Sequence, residues 1–243
     1  MKFIVISDIH GDVDTLDEFL AILQKDPERK ILLIAGDLGD ISGMTKKINK
    51  VFEKVYFVPG NDDPPNISFY GFQNIDKEMV VLNREMILIG LGGSPPAGIR
   101  SLYNWSDEDK SLSTLMWRLF LRASRYKLPI VFLSHCPPYG YFDLATFYGQ
   151  RHIGSKIIKN LVETFYPRLH FFGHVHRDGG KVKTIGKGKT KLINVSLFSG
   201  KSAYKALGRR YLEIRKKGSK MKIRFKYVVN PSLSVEKFVD TYL

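Results

Sequence analysis

The feature that most constrains this chain is a repeated arrangement: a short apolar run that stops at an acid, an amide or a histidine. The runs are KFIVIS (2–7), KILLIAG (30–36), VYFVPG (55–60), MILIGLGG (86–93), PIVFLSH (129–135) and RLHFFGH (168–174). Apolar runs of this length, without polar alternation, read as strands buried on both faces of a sheet. At the ends of five of them stand Asp8 and His10, Asp37 and Asp40, Asn61 and Asp62, His135, and His174 with His176. Sheets of α/β proteins place ligands outside the carboxyl ends of their strands. A single Asp or His there is an ordinary turn or cap residue. Five clusters of imidazole, carboxylate and amide instead form a donor set suited to Zn, Mn, Fe or Ni. If the strands extend that far, their period of two puts Asp8 with His10, and His174 with His176, on one face.

Between the runs the pattern is helical. In DVDTLDEFLAILQK, Val13, Leu16, Phe19, Leu20 and Leu23 share a stripe; SDEDKSLSTLMWRLFLRASRY opens on Ser106 as the expected N-cap; GSKIIKNLVETFY predicts a third helix over 154–166. Strand–helix alternation predicts an α/β fold. Beyond residue 180 the texture changes to antiparallel strands at 191–198, 209–217 and 220–229, and SVEKFVDTYL predicts a closing helix capped by Ser234. No linker or repeat interrupts the chain. It reads as one domain, 1–243, in which residues 177–243 supply basic antiparallel strands and a C-terminal helix.

Charge is concentrated. Of 38 Lys and Arg residues, 17 fall between Arg177 and Lys226, against two of the 24 acids, so most of the net +14 lies in one block. Lys216, Lys217, Lys222, Arg224 and Lys226 are candidates for an electrostatic platform that holds nucleic acid or another polyanion without reading its sequence. The plainer reading is a solvated strand face. The single cysteine, Cys136, excludes a disulfide framework and reads as a packing residue. The opening apolar run is shorter than a signal-peptide core, and no stretch has the length of a membrane span, so a cytoplasmic protein with no membrane partner is expected.

Five motifs now stand in order between residues 8 and 176: DIH (8–10), GDLGD (36–40), GNDD (60–63), SHCPP (134–138) and GHVH (173–176). Together they resemble those of the calcineurin-like metallophosphoesterase superfamily. The segment HCPPYG…HIGS (135–155) is similar to that of a small, mostly prokaryotic branch of uncharacterised phosphoesterases. The resemblance implies a four-layer α/β/β/α sandwich of two mixed sheets flanked by helices, and a centre of two divalent ions (Mn, Fe, Zn or Ni). It places Asp8, His10 and His176 on the first ion, Asn61, His135 and His174 on the second, and Asp37 between them. Asp40 is expected to serve a turn. A neutral amide at Asn61 keeps such a centre cationic for a phosphate ester, and the ions would activate a bridging hydroxide as nucleophile.

Asp62 departs from the pattern. Many members of that superfamily carry His there, placed to protonate the leaving group. A carboxyl with an ordinary pKa near ~4 is ionised at neutral pH. Losing general acid catalysis costs roughly 10²–10⁴ in rate with a poor leaving group and little with a good one. Asp62 is therefore a candidate acid only with a raised pKa, which nearby cations oppose; otherwise it orients a water or a histidine, for which His152 is the candidate. Arg100 and Tyr103, in a loop that also holds Trp105, are candidate contacts to a base or aromatic leaving group. A helix starting near Gly154 would offer amides to phosphate if it faces the site. His170 is expected to be structural. The function expected is a metal-dependent phosphoesterase favouring diesters; the alternatives are a nuclease using the basic 177–226 surface and a non-catalytic binding or scaffold protein.

Overall fold

The computed structural model describes residues 2–97, 101–146, 151–196, 198–199, 209–217, 220–228 and 241–242. Its elements run β1 (Lys2–Ile6), α1 (Val13–Gln24), β2 (Lys30–Ala35), α2 (Thr45–Val51), β3 (Lys54–Val58), β4 (Phe72–Asn74), β5 (Met79–Leu82), β6 (Met86–Leu91) and α3 (Lys110–Ser124). They continue with β7 (Ile130–Ser134), β8 (Leu144–Ala145), β9 (Arg151–His152), α4 (Lys156–Phe165), β10 (Leu169–Phe172), β11 (Val182–Ile185), β12 (Thr190–Asn194), β13 (Arg210–Lys217), β14 (Lys220–Tyr227) and β15 (Thr241–Tyr242).

Two mixed sheets result. One has the order β15-β14-β13-β1-β2-β3-β4, the other β11-β12-β10-β7-β6-β5. In the first, β1 to β4 are parallel and β13 joins β1 antiparallel. In the second, β6, β7, β10 and β12 are parallel, and β5 and β11 form antiparallel edges.

Side-chain alternation sorts the core into three layers. Phe3, Val5, Ile31, Leu33, Val131, Leu133, Leu169 and Phe171 fill the space between the sheets. Their neighbours Ile4, Ile6, Leu32 and Ile34 point outward onto α1 and α2, while Ile87, Ile89, Ile130 and Phe132 pack on α3 and α4. Strands covered on both faces need apolar residues at every position, which is why the runs do not alternate. Each fully buried Leu, Ile or Phe contributes about 1.5–3 kcal/mol. The architecture is the expected four-layer α/β/β/α sandwich.

Several local expectations change. Val13 is exposed, and α1 is capped by Asp12, whose Oδ1 accepts from Thr15 N. Helix α3 starts later than expected, because Asp109, not Ser106, accepts the free amides of Ser111 and Leu112. Asp's longer reach lets one oxygen serve both donors. The 191–198 run does not join β13 and β14: β12 pairs parallel with β10 in the other sheet. The expected helix over 234–243 lies mostly outside the described residues, and its Thr241–Tyr242 end is a strand against β14.

The basic block also has a definite place. Lys2 stands opposite Arg215 and Val5 opposite Leu212, so the paired Lys217–Lys220 end of β13 and β14 lies beyond the amino end of β1. On strand spacing, Lys216 and Lys217 stand about 20 Å from Asp8. Lys222, Arg224 and Lys226 are half-buried. Lys226 Nζ lies 3.2 Å from the buried carboxylate of Glu213, which also accepts from Arg215 Nε at 2.8 Å. Among the described residues, no helix is long and apolar enough to cross a membrane.

Candidate metal centre

The strands stop before the polar residues begin. β1 ends at Ile6, β2 at Ala35 and β10 at Phe172. Asp8, His10, Asp37 and His174 then take left-handed backbone angles, with φ of 57°, 49°, 51° and 69°. Strand periodicity therefore does not aim these side chains; tight turns do. Non-glycine residues at positive φ carry a conformational cost of order 1–3 kcal/mol and cluster at functional sites. Asp and His accept this geometry more readily than branched residues.

Two carboxylates form the buried floor. Asp8 accepts from His176 Nε2 at 3.0 Å and from the His174 backbone amide at 3.1 Å. Asp37 Oδ1 accepts from the Asp62 amide at 3.0 Å, while its Oδ2 lies 3.7 Å from His10 Nε2 and 3.5 Å from His135 Nε2. Asp37 thus stands between His10 and His135. Among the described residues, ligand-type atoms lie within 4.8 Å of one another in three groups: Asp8, His10 and His176; Asp8, Asp37 and His135; His10, Asp37 and Asp62. Asn61 Oδ1 sits 2.9 Å from His135 Nε2. The ring of His174 lies 5.0 Å from that of His135, outside these clusters, with its Nε2 buried and lacking a hydrogen-bond partner among the described residues.

The histidines are held in usable tautomers. The Ala35 carbonyl accepts from His135 Nδ1 at 2.8 Å, which turns Nε2 toward Asn61 and Asp37 and makes it the nitrogen available to an ion. Packing leaves no slack: a β-carbon at Gly60 would collide with the Asp37 carboxylate, and one at Gly173 with Asp8 and Ser7.

The charged groups of the site act strongly on one another. Burial alone would push the Asp8 carboxyl up, but His176, His135 and His10 pull it well below the usual range. Burial raises Asp37 to about 6, assisted by Asp8 and opposed chiefly by His135. Burial opposes protonation of His135 and His176, but Asp37 and Asp8 raise the first and Asp8 raises the second. Burial pushes His174 down to about 3, so it is a neutral imidazole. Such a set fits divalent ions on its own chemistry: buried carboxylates, nitrogen donors and an orphaned buried Nε2. Ion binding competes with protons at His135 and His176, whose affinity for them the carboxylates raise.

A family model described as calcineurin-like phosphoesterase matches residues 1–178. The chain belongs to the calcineurin-like phosphoesterase family. An uncharacterized protein of Methanocaldococcus jannaschii is 25% identical over 208 residues, which cover 81% of this chain and 88% of that protein. Among solved structures, a dimetal phosphatase from Danio rerio has a TM-score of 0.62 at 10% identity, over 94% of this chain and 96% of that one. Phosphopantetheinyl hydrolase from Mycobacterium tuberculosis has a TM-score of 0.52 at 17% identity, over 80% of this chain and 89% of that one. At these identities the likeness is one of fold.

Within this phosphoesterase fold the remaining candidates separate. Asp62 is exposed, accepts from Asn61 Nδ2 at 2.6 Å, and brings a carboxylate oxygen within 4.8 Å of donor atoms of His10 and Asp37. His152 belongs to the small β8–β9 hairpin, where its Nδ1 lies 2.8 Å from the buried Asp143 carboxylate. Tyr103 is no exposed reader of substrate: it is buried, its hydroxyl donates to Asp76 at 2.5 Å, and its amide donates to Asn61 O. Trp105 is likewise buried and donates to Gly92 O. Arg100 lies outside the described residues. The α4 amides are not free for phosphate, because Asp107 accepts from Lys156 N, Ile157 N and Ser155 Oγ. Asp40 serves a turn, accepting from Ser42.

Asp63 has a role that its sequence neighbours do not announce. Its buried carboxylate accepts from the amides of Leu38 and Gly39 at 3.0 Å and of Gly60 at 2.8 Å, tying the loop after β2 to the loop after β3. The available signal was a second acid beside two prolines, where only one was needed at the surface. Asn194 and Ser196 hold the Val175 carbonyl between the two histidines of GHVH, and no local pattern marks them.

Proposed function

We propose that this chain hydrolyses phosphate esters, diesters in preference to monoesters, with two divalent ions held by seven side chains. Asp8, His10 and His176 would hold the first ion, Asn61, His135 and His174 the second, with Asp37 shared. The observation that carries this reading is the position of Asp37, whose one carboxylate oxygen lies within 3.7 Å of His10 and 3.5 Å of His135. Such ions supply a water-derived nucleophile near neutral pH and a positive field for the phosphoryl oxygens.

The chain's own residues do the rest. The hydrogen bond from His135 Nδ1 to Ala35 O keeps its other nitrogen aimed inward. Asp143 fixes the ring of the exposed His152: its carboxylate accepts from Nδ1 and is itself held by the backbone amides of Gly140 and Gly154. His152 lines a cavity of about 190 Å³ with Pro95, Tyr139, Arg151 and Lys156. The walls of that cavity come from the chain after His135 and the loop that clamps Asn61, so His152 is our candidate to give the leaving oxygen its proton. A diester with a good leaving group depends least on that proton.

The test uses protein stripped of metal and assayed on bis-p-nitrophenyl phosphate and p-nitrophenyl phosphate, with Mn, Ni, Zn and Fe returned singly. Expected are metal-dependent turnover, a diester rate above the monoester rate, and loss of both in Asp37→Asn. Binding of metal without turnover of either ester would favour a binding or scaffold protein.

A further inference from the structure

Asp62 is where this chain departs from its family's motif, and its surroundings give it a different occupation. The side chain stands on the open side of the site, exposed, with one carboxylate oxygen within 4.8 Å of both a His10 nitrogen and an Asp37 oxygen. Its backbone amide is pinned to Asp37 Oδ1, so the residue cannot swing away without releasing the shared carboxylate. Its Oδ1 takes a hydrogen from Asn61 Nδ2 at 2.6 Å, which turns the Asn61 amide oxygen toward His135. The carboxylate therefore faces both halves of the centre.

We propose that Asp62 is itself a ligand of the first ion, completing a set of three carboxylates (Asp8, Asp37, Asp62) and two imidazoles (His10, His176). The proposal rests on the two-ion reading above. Carboxylate-rich sites suit Mn²⁺ and Mg²⁺ better than sites dominated by nitrogen. The added carboxylate also halves the surplus positive charge that two divalent ions keep when Asp8 and Asp37 are their only anionic ligands. A centre of lower positive charge loses its attraction for a dianionic monoester faster than for a monoanionic diester. The missing acid histidine and the diester preference then have one cause.

The experiment is metal titration of the stripped protein by calorimetry, with Mn²⁺ and Zn²⁺ separately, for wild type, Asp62→Asn and Asp37→Asn. Asn keeps an acceptor for Asn61 Nδ2 but removes the charged donor. In Asp62→Asn, Mn²⁺ affinity at one of two sites falls 10- to 100-fold, of the order seen when a metal's supporting groups are removed. Zn²⁺ affinity falls less, and the monoester-to-diester ratio of kcat/KM rises. Mn²⁺ affinity within twofold of wild type at both sites would overturn the assignment of Asp62 and leave the two-ion centre standing. Absence of divalent-ion binding in wild type would overturn both. Because Asp62 is exposed, thermal unfolding of the metal-free variant matches wild type, which separates a lost ligand from a lost fold.

Discussion

At the scale of single residues, the centre is built by backbone conformation as much as by side chains. Asp8, His10, Asp37 and His174 all leave the strand in left-handed turns, and Asp63 is the brace that ties the Asp37 turn to the loop after β3. Replacing Asp63 with Ala strips acceptors from three amides. Each buried donor left unpaired costs about 1–3 kcal/mol. Urea unfolding is expected to show a loss on the order of 3 kcal/mol or more, with divalent-ion affinity falling alongside and Asn recovering part of both. Ligand type was legible in sequence because apolar runs ended at Asp, Asn and His. The braces were not: Asp63 and Asn194 act on loops 25 and 19 residues away, and Asp143 acts within its own loop, where no periodic pattern marks it.

At the scale of elements, the sequence told strands from helices well where burial was complete and poorly where it was shared. β1, β2, β3, β6, β7 and β10 are covered on both faces and appear as unbroken apolar runs. The edge strands β4, β5 and β11 are partly exposed, so their residues mix. Helix α2 is one short turn-fed segment with two buried positions, too few to declare a period. Caps failed for a related reason: Ser106 and Asp109 both satisfy the local rule, and only the fold decides between them. Helix α4 shows how far an element's start can depend on another loop, because Asp107 reaches it from 48 residues away. Asp107→Ala should lower stability by about 1 kcal/mol, the usual worth of a cap, read as a shift in denaturation midpoint with unchanged slope.

At the scale of the whole molecule, acid should unfold this protein through its interior. His170 is buried between Phe132 and the Ser134 hydroxyl, stacked on the first at 4.6 Å and bonded to the second at 2.8 Å. Burial lowers its pKa from 6.5 to about 3. Between those values the unfolded chain binds a proton that the folded chain refuses, so stability is complete above pH 6.5 and declines as pH falls. At pH 5 the loss from this group is about 2 kcal/mol. His170→Leu should therefore lose less stability than wild type between pH 7.5 and pH 5, measured by urea titration of the metal-free protein at both.

The two sheets meet across an apolar layer, whose attraction is non-directional. Asp8, Asp37 and Asn61 come from the first sheet, while His135, His174 and His176 come from the second. A pair of ions seated among them would work as a clasp on one rim of a closed book. Removing them would leave that edge to the bonds that cross it, from His135 to Ala35 and from His174 and His176 to Asp8, so ion binding and the cohesion of the rim are coupled.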